Sequence, residues 1–109
     1  MRRALGLLVL AAIPGSCVTA RAPKLALHSV QAEGLPDGSA FIWWQVEGDY
    51  ESASLKVRSE EPGIPTIHER ISKGRPFFRL PELPDGRYEV SVSFSNERET
   101  ANKMQWFVI

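Results

Sequence analysis

Cysteine is almost absent from this sequence of 109 residues, since Cys17 is its single one. One cysteine cannot form an internal disulfide or supply a cysteine-rich zinc site. Histidine is nearly as scarce: His28 and His68 lie far apart in the sequence, and neither belongs to a metal-binding motif such as H-E-x-x-H. We therefore expect neither a metal centre nor a cofactor.

An excess of positive charge is also lacking, because 13 lysines and arginines balance 13 aspartates and glutamates. Nucleic-acid-binding domains usually show a basic excess, so we expect no nucleic acid as a partner. Hydrophobic residues make up 43% of the chain, which excludes an acidic disordered tail. The length and composition together predict one small folded domain.

The usual catalytic signatures are missing as well. The chain has no G-x-S-x-G elbow and no glycine-rich phosphate loop. Glu60 and Glu61 are adjacent, so their side chains point apart, and they precede a loop with two prolines and a glycine. With no nucleophile, base or metal motif in place, we predict no catalytic residues and a protein that is not an enzyme.

The longest hydrophobic run, Ala4–Ile13, stands near the N-terminus and is too short to span a membrane, which takes about 20 residues. Two arginines precede this run, and a Pro-Gly pair follows it. This layout is typical of a secretory signal peptide. We predict a signal peptide over residues 1–20 and a single domain over residues 21–109, in a protein that is periplasmic or secreted.

Two ways of processing the N-terminus are open. Val18 and Ala20 suit the −3 and −1 positions of a cleavage site, so that the domain begins at Arg21. Alternatively, Cys17 is the lipidated first residue of a lipoprotein and anchors the chain to a membrane, although Pro14 stands where that motif expects an aliphatic residue. Cleavage after Ala20 removes 20 of the 109 residues and leaves 89, with 11 basic against 13 acidic side chains and a net charge of −2.

The rest of the chain shows the period-two alternation typical of β-strands and no helical period. Ala40–Glu47 is rich in aromatic and β-branched residues, and Tyr88–Phe94 alternates apolar with polar side chains. About seven short strands separated by turn signals predict an all-β, antiparallel two-sheet sandwich, with a small barrel as the alternative. The shorter predicted strands lie around Leu25–Val30, Leu55–Val57, Thr66–Ile71, Phe77–Leu80 and Lys103–Ile109.

Leu80–Asn96, L-P-E-L-P-D-G-R-Y-E-V-S-V-S-F-S-N, resembles the E–F corner and F strand of a fibronectin type III domain. In such a corner, Tyr88 would bond through its hydroxyl to upstream backbone. Ile42-x-Trp44 likewise resembles the B-strand pair that places a tryptophan in the core. The resemblance implies an immunoglobulin-like or fibronectin III-like sandwich, and we predict Trp44, Tyr88 and Trp106 as structural core residues.

A narrower resemblance rests on Pro84-Asp85-x-Arg87, on the alternating run Val90–Asn96, and on Gln105-Trp106. These residues resemble the C-terminal half of the small curli-assembly proteins, periplasmic immunoglobulin-like sandwiches that keep curli subunits from forming amyloid prematurely. The Cys-x-Cys found in some of them is absent here, which excludes a redox role. The resemblance implies a chaperone whose partner is another protein, an aggregation-prone curlin-like subunit.

The alternation also predicts a binding surface. If Ile42 and Trp44 face the core, the aromatic residues between and before them face outward, and the same rule applies to Phe77–Leu80. The second and fifth strands of such a sandwich are neighbours, so their outward aromatic rings meet. Exposed apolar patches with Trp, Phe and Arg often bind proteins. The predicted protein-binding patch is Phe41, Trp43, Arg75, Phe77 and Arg79.

Several alternatives stay open at this point. The segment Pro23–Gly34 lies over the patch and buries it, or a register slip of one residue exchanges patch and core. A cell-surface or carbohydrate-binding module would use Trp43 and Phe77 as stacking platforms for sugar rings. A lipoprotein accessory domain, or an enzyme accessory or inhibitor domain, is the third class.

Overall fold

Seven β-strands and no helix make up residues 24–109, the part of the chain that the computed structural model describes. The predicted signal peptide, its cleavage sites and Cys17 fall on residues 1–23 and so lie outside the described residues. Within the described part, no helix has the length and apolar character needed to cross a membrane. The strands are β1 (Ala26–Gly34), β2 (Ala40–Glu47), β3 (Ser52–Ser59), β4 (Ile67–Arg70), β5 (Phe77–Leu80), β6 (Arg87–Ser95) and β7 (Thr100–Val108).

The strands form two antiparallel sheets, one in the order β1-β2-β5 and the other in the order β4-β3-β6-β7. The prediction of an all-β, antiparallel two-sheet sandwich is confirmed. β4 pairs with β3, whereas in a constant-type immunoglobulin sandwich the fourth strand lies beside the fifth. As a result, β5 forms one edge of the three-stranded sheet.

A Leu-Pro-Asp-Gly turn joins β1 to β2 and sets the register of their pairing. The Asp37 carboxylate accepts hydrogen bonds from the backbone N–H of Ser39 (2.9 Å) and from its hydroxyl (2.6 Å). Gly38 has a φ of 88°, a left-handed conformation that glycine adopts without steric cost. This local chemistry places β2 in register with β1, and β5 continues the sheet on the other side of β2.

The core lies between the sheets and takes every second side chain of the central strands. On β2, Ile42 and Trp44 are buried, and on β6 the same alternation buries Tyr88, Val90, Val92 and Phe94. The Trp44 ring meets Phe94 edge-on with centroids 6.0 Å apart. Each fully buried large apolar side chain contributes about 1.5–3 kcal/mol to the free energy of unfolding, so this alternation determines which face of each strand points inward.

Tyr88 and Trp44 both bury their rings and satisfy their polar atoms on backbone carbonyls. The Tyr88 hydroxyl donates to the carbonyl oxygen of Pro84 at 2.6 Å, the geometry of a tyrosine corner. The Trp44 Nε1–H donates to the carbonyl oxygen of Arg75 at 3.1 Å, which ties β2 to the residues before β5. Burial, together with the nearby carboxylates of Glu61 and Asp85, raises the pKa of the Tyr88 phenol.

The prediction that Trp106 is a core residue is wrong, because Trp106 lies on the outer face of the four-stranded sheet and is only half-buried. It stands opposite the outward-facing Glu89, and the Arg87 guanidinium carbon lies 4.4 Å from the centroid of the Trp106 ring. Phe107 enters the core instead and stacks on Tyr88 with centroids 5.5 Å apart. Two adjacent aromatic residues in a strand face opposite sides, and the Gln-Trp pattern does not say which of them points inward.

The two sides of the sandwich are closed differently. At one side β1 and β7 lie against each other, and Gly34 sits so close to the Val108 carbonyl oxygen that a Cβ atom would clash with it. At the other side, the edge strands are β4 and β5, which have four residues each. The close backbone approach at Gly34 covers the first side, whereas β5 keeps a free edge.

Candidate functional site

Three aromatic rings form a continuous cluster on the outer face of the three-stranded sheet. Trp43 of β2 stands opposite Phe77 of β5, and Phe41 lies diagonally between them. The Phe41 and Phe77 rings stack with centroids 5.2 Å apart, and the Phe41 and Trp43 rings are tilted at 5.5 Å. Trp43 and Phe77 are each 36% exposed. We call Phe41, Trp43 and Phe77 the aromatic face.

Arginines border the aromatic face at β5. The Arg75 guanidinium carbon lies 5.2 Å from the Phe77 ring centroid, within the range of a cation–π contact. Arg79 stands opposite Phe41 and donates to the Asp37 carboxylate at 3.3 Å and to the Ser39 hydroxyl at 3.5 Å. The structure thus brings all five residues of the predicted patch together, and their role in binding stays a prediction.

A shallow depression adjoins the arginine end of this surface. It is lined by Asp37, Ser39, Arg79 and Glu82, together with the chain at Leu80 and Pro81. Hydrogen bonds from the Ser39 hydroxyl and backbone N–H, together with the Arg79 charge, lower the pKa of the Asp37 carboxyl. The carboxylate is therefore charged at neutral pH and holds Arg79 at the rim of the aromatic face.

β1 extends the surface on its other side, and sequence reasoning did not find this contribution. Gln31 pairs with Trp43, and Glu33 pairs with Phe41, so both polar side chains lie on the same outer face. The pairing register alone reveals them, because β1 carries a bulge between Leu27 and Ser29 that shifts its alternation. A polar row thus flanks the aromatic rings along β1.

The N-terminal segment does not cover the aromatic face in the described part of the chain. Residues 26–34 run beside β2 as the neighbouring strand of the same sheet. The alternative that Pro23–Gly34 lies over the patch is therefore wrong for residues 26–34, since a hydrogen-bonded neighbour lies in the plane of the sheet. The alternative register, with Phe41 and Trp43 in the core, is also wrong, because Ile42 and Trp44 are the buried residues.

The outer face of the four-stranded sheet has a different character. Arg58 and Glu89 form an ion pair at 2.8 Å across β3 and β6, in a row of serines and charged side chains. On the edge strand β7, Met104 and Val108 are 61% and 65% exposed. The outer-facing polar residues of this sheet include Lys56, Arg58, Glu89, Ser91 and Ser93.

The surface chemistry of residues 24–109 provides no metal cluster. No three His, Cys, Asp or Glu side chains of this part lie where they could hold a metal ion together. His28 lies 2.8 Å from the Glu47 carboxylate on the exposed end of β1, and His68 is exposed on β4. These side chains form isolated surface contacts.

Comparisons with known proteins identify the fold. No family model and no curated protein matches the chain. It is similar to a computationally redesigned β-sandwich protein, with a TM-score of 0.64 and 13% identity over 76% of this chain and 92% of that chain. It is also similar to the FN1–FN3 domains of chicken CNTN1, with a TM-score of 0.63 and 14% identity over 94% of this chain and 33% of that chain.

The similarity to these two solved structures agrees with the resemblance to fibronectin type III domains but not with the resemblance to the curli-assembly proteins. At 13% and 14% identity they show the fold alone, and they lend no support to the narrower resemblance to the curli-assembly proteins. The two-sheet order and the corner tyrosine agree with the broader resemblance. The chain has a fibronectin type III-like β-sandwich fold.

Proposed function

We propose that this chain is an exported, non-enzymatic module that binds another protein through its aromatic face. The observation that carries the proposal is a contiguous cluster of three aromatic rings on one sheet, two of them exposed, with arginines at its border. Trp and Arg are enriched among the residues that dominate binding energy at protein interfaces, and aromatic residues are enriched at interfaces generally. An exposed apolar patch rimmed by polar residues is the usual form of such a site on a small domain.

The three rings of the aromatic face are not needed to fill the core of the sandwich. The core side of the same strands is filled by Ile42, Trp44 and Leu80, which pack between the sheets. Cross-strand contacts between the outer rings contribute only about 0.2–1 kcal/mol per pair to the stability of the sheet. Covering Trp43 and Phe77 with a partner would bury apolar area that folding leaves in water.

The finer proposal is a periplasmic curli-type assembly factor that keeps amyloid subunits from aggregating. Its support is the resemblance over Pro84–Asn96 and Gln105-Trp106, together with an aromatic surface that can hold an apolar client. A transient contact of this kind would occupy strands of the client and deny them partners, which slows cross-β nucleation.

The geometry favours a protein over a sugar as the bound molecule. A sugar ring stacks on a free, flat aromatic face. The Phe77 ring already stacks on Phe41, and the Arg75 guanidinium lies over it as well. Of the three rings, Trp43 is the one that is tilted against its neighbour and not stacked on it, and one platform does not make the pair of platforms that a carbohydrate-binding module would use.

The proposal is tested with an amyloid-forming curlin-like subunit as the client and thioflavin fluorescence as the readout. We expect the purified chain, at a tenth of the client concentration, to lengthen the lag phase. Replacing both Trp43 and Phe77 by Ala should abolish the delay, because both exposed rings are lost. A matched control is Met104→Ala, which removes an exposed apolar side chain from the other sheet and should leave the delay intact.

The outcomes separate the two levels of the proposal. An unchanged lag with the wild-type chain would contradict the curli-type function. A delay that survives loss of Trp43 and Phe77 would mean that the aromatic face is not the binding site. Binding of glycans that disappears in Trp43→Ala would favour the carbohydrate-binding module instead.

A further inference from the structure

The free edge of β5 lies directly beside the aromatic face and presents backbone groups to solvent. The Trp44 N–H donates to the Pro76 carbonyl oxygen at 3.5 Å, which sets the phase of pairing between β2 and β5. Alternate residues of an antiparallel strand direct their N–H and C=O to the same neighbour. Phe78 and Leu80 therefore bond to β2, and the backbone groups of Phe77 and Arg79 point away from it.

No strand of the described chain uses this edge. β4, the strand that precedes β5 in the chain, pairs with β3 in the other sheet. The turn and loop hydrogen bonds within residues 24–109 include none from the backbone of Phe77 or Arg79. Two N–H and two C=O groups are thus available there, and a row of unpaired backbone groups at a sheet edge is a template for another strand.

The chain segment that leads into β5 and contains it has a net charge opposite to that of the rest of the described domain. Ile67–Leu80 contains four basic residues and one acidic residue, whereas residues 24–109 as a whole contain ten basic and thirteen acidic residues. The remainder therefore holds six basic against twelve acidic side chains. Lys73 and Arg75 form no ion pair among the described residues. A segment bearing carboxylates would be attracted to this edge and repelled elsewhere.

We propose that the β5 edge takes up an extended segment of the partner protein, with alternating apolar and acidic side chains, as an added strand of the three-stranded sheet. This inference rests on the proposed function and names the form of the bound segment. Apolar side chains of the added strand pack on Phe77 at the border of the aromatic face, and its carboxylates, on the opposite face of that strand, are attracted by the net positive charge of Ile67–Leu80. Its backbone bonds to Phe77 and Arg79.

The short length of β5 limits the number of backbone hydrogen bonds to the added strand and thus the lifetime of the contact. The strand has four residues and is bounded by Pro76 and Pro81, so few backbone bonds can form. Proline removes a donor and ends the pairing at each side. The added strand is therefore held briefly and exchanges quickly, and the short edge is protected against permanent association with other chains.

The direct test uses two eight-residue peptides with blocked ends, one alternating aspartate with valine and the other lysine with valine. Binding to the ¹⁵N-labelled chain is followed by NMR together with amide hydrogen exchange. We expect the aspartate peptide to protect the amide hydrogens of Phe77 and Arg79 from exchange. The lysine peptide should bind at least about tenfold more weakly, because its charges match those at the edge.

A pair of variants separates the backbone contribution from the side chain. Arg79→Ala and Arg79→Pro both lose the guanidinium, but only proline also loses the N–H at the free edge. We expect Arg79→Pro to bind the aspartate peptide about three- to tenfold more weakly than Arg79→Ala, the cost of one hydrogen bond. Circular dichroism melts check that both variants fold. If the proline variant does not fold, the aspartate peptide with N-methylated valines against the unchanged protein provides the same test.

The outcomes distinguish this inference from the proposed function. Peptide binding that requires Trp43 but leaves the Phe77 and Arg79 amides unprotected would overturn strand addition and leave the aromatic face as a binding site. Equal binding by the two Arg79 variants, or by the N-methylated peptide, would also overturn it. Protection of both amides without any dependence on Trp43 or on Phe77 would support strand addition and contradict the role of the aromatic face.

Discussion

The outer faces of the two sheets are built by the same alternation but carry different chemistry. On the three-stranded sheet, the rings of Phe41, Trp43 and Phe77 form one cluster, in which Trp43 and Phe77 are exposed and Phe41 is half-buried. On the four-stranded sheet, the corresponding positions of β3 and β6 carry serines and the paired charges of Arg58 and Glu89. The inner faces of both sheets supply the core in the same way.

This difference shows that exposure of the aromatic face does not follow from the demands of the fold. The outer positions of β3 and β6 carry polar side chains in the same molecule, so the fold does not require aromatic residues at the outer positions of a sheet. The rings on the other sheet contribute to cross-strand packing, but polar or β-branched residues pack there as well. The aromatic residues on the outer face of the three-stranded sheet are therefore better explained by binding than by the stability of the fold.

The largest expected change in the free energy of unfolding comes from replacing one of two neighbouring tryptophans, which face opposite sides of the three-stranded sheet. Trp44→Ala should lower the free energy of unfolding by about 3–5 kcal/mol, because it empties a core position. Trp43→Ala should lower it by less than about 1 kcal/mol, since only outer-face contacts are lost. Urea unfolding followed by circular dichroism measures both. A greater loss for Trp43 than for Trp44 would show that the register of β2 is reversed.

A smaller effect is expected at the corner tyrosine beneath the four-stranded sheet. Tyr88→Phe removes the hydrogen bond to Pro84 and should cost about 0.5–1.5 kcal/mol at neutral pH. The raised pKa of Tyr88 in the folded state adds a pH dependence. Its contribution is fully present below the unfolded pKa of about 10 and is lost as pH rises toward the folded pKa.

Comparison of the two proteins from pH 8 to pH 11 tests this origin. The difference in stability between wild type and Tyr88→Phe should shrink above about pH 10. Other groups titrate in both proteins and cancel in the difference. A difference that stays constant through pH 11 would mean that Tyr88 does not titrate differently in the folded chain.

The smallest effect concerns the rim of the aromatic face. Asp37→Asn removes the carboxylate that accepts the Ser39 hydrogen bonds and pairs with Arg79, and should cause a small loss of thermal stability at neutral pH. The lowered pKa of Asp37 makes the wild-type advantage present above the unfolded pKa near 3.8 and lost as pH falls below it. Melting temperatures at pH 6 and pH 3 check this, and an advantage that grows on acidification would contradict it.

Most strand positions could be predicted because alternation and turn residues act locally. Ala40–Glu47 and Phe77–Leu80 have the bounds that their patterns predict. Trp106 shows where this reasoning stops, since a pair of adjacent aromatic residues fits either face until the strand is paired. The contribution of Gln31 and Glu33 to the aromatic face was not predicted either, because a bulge in β1 shifts the alternation there.

The amino-acid sequence by itself determined the all-β class, the two-sheet architecture and the outward direction of Phe41, Trp43 and Phe77, because side-chain direction in a strand follows from its period of two. Only the tertiary structure decided that β4 pairs with β3 and leaves the edge of β5 free. It also decided that β1 lies beside the aromatic face and that Phe107 rather than Trp106 enters the core. These outcomes depend on which strands become neighbours, and pairing between segments distant in the chain is governed by packing of the whole core.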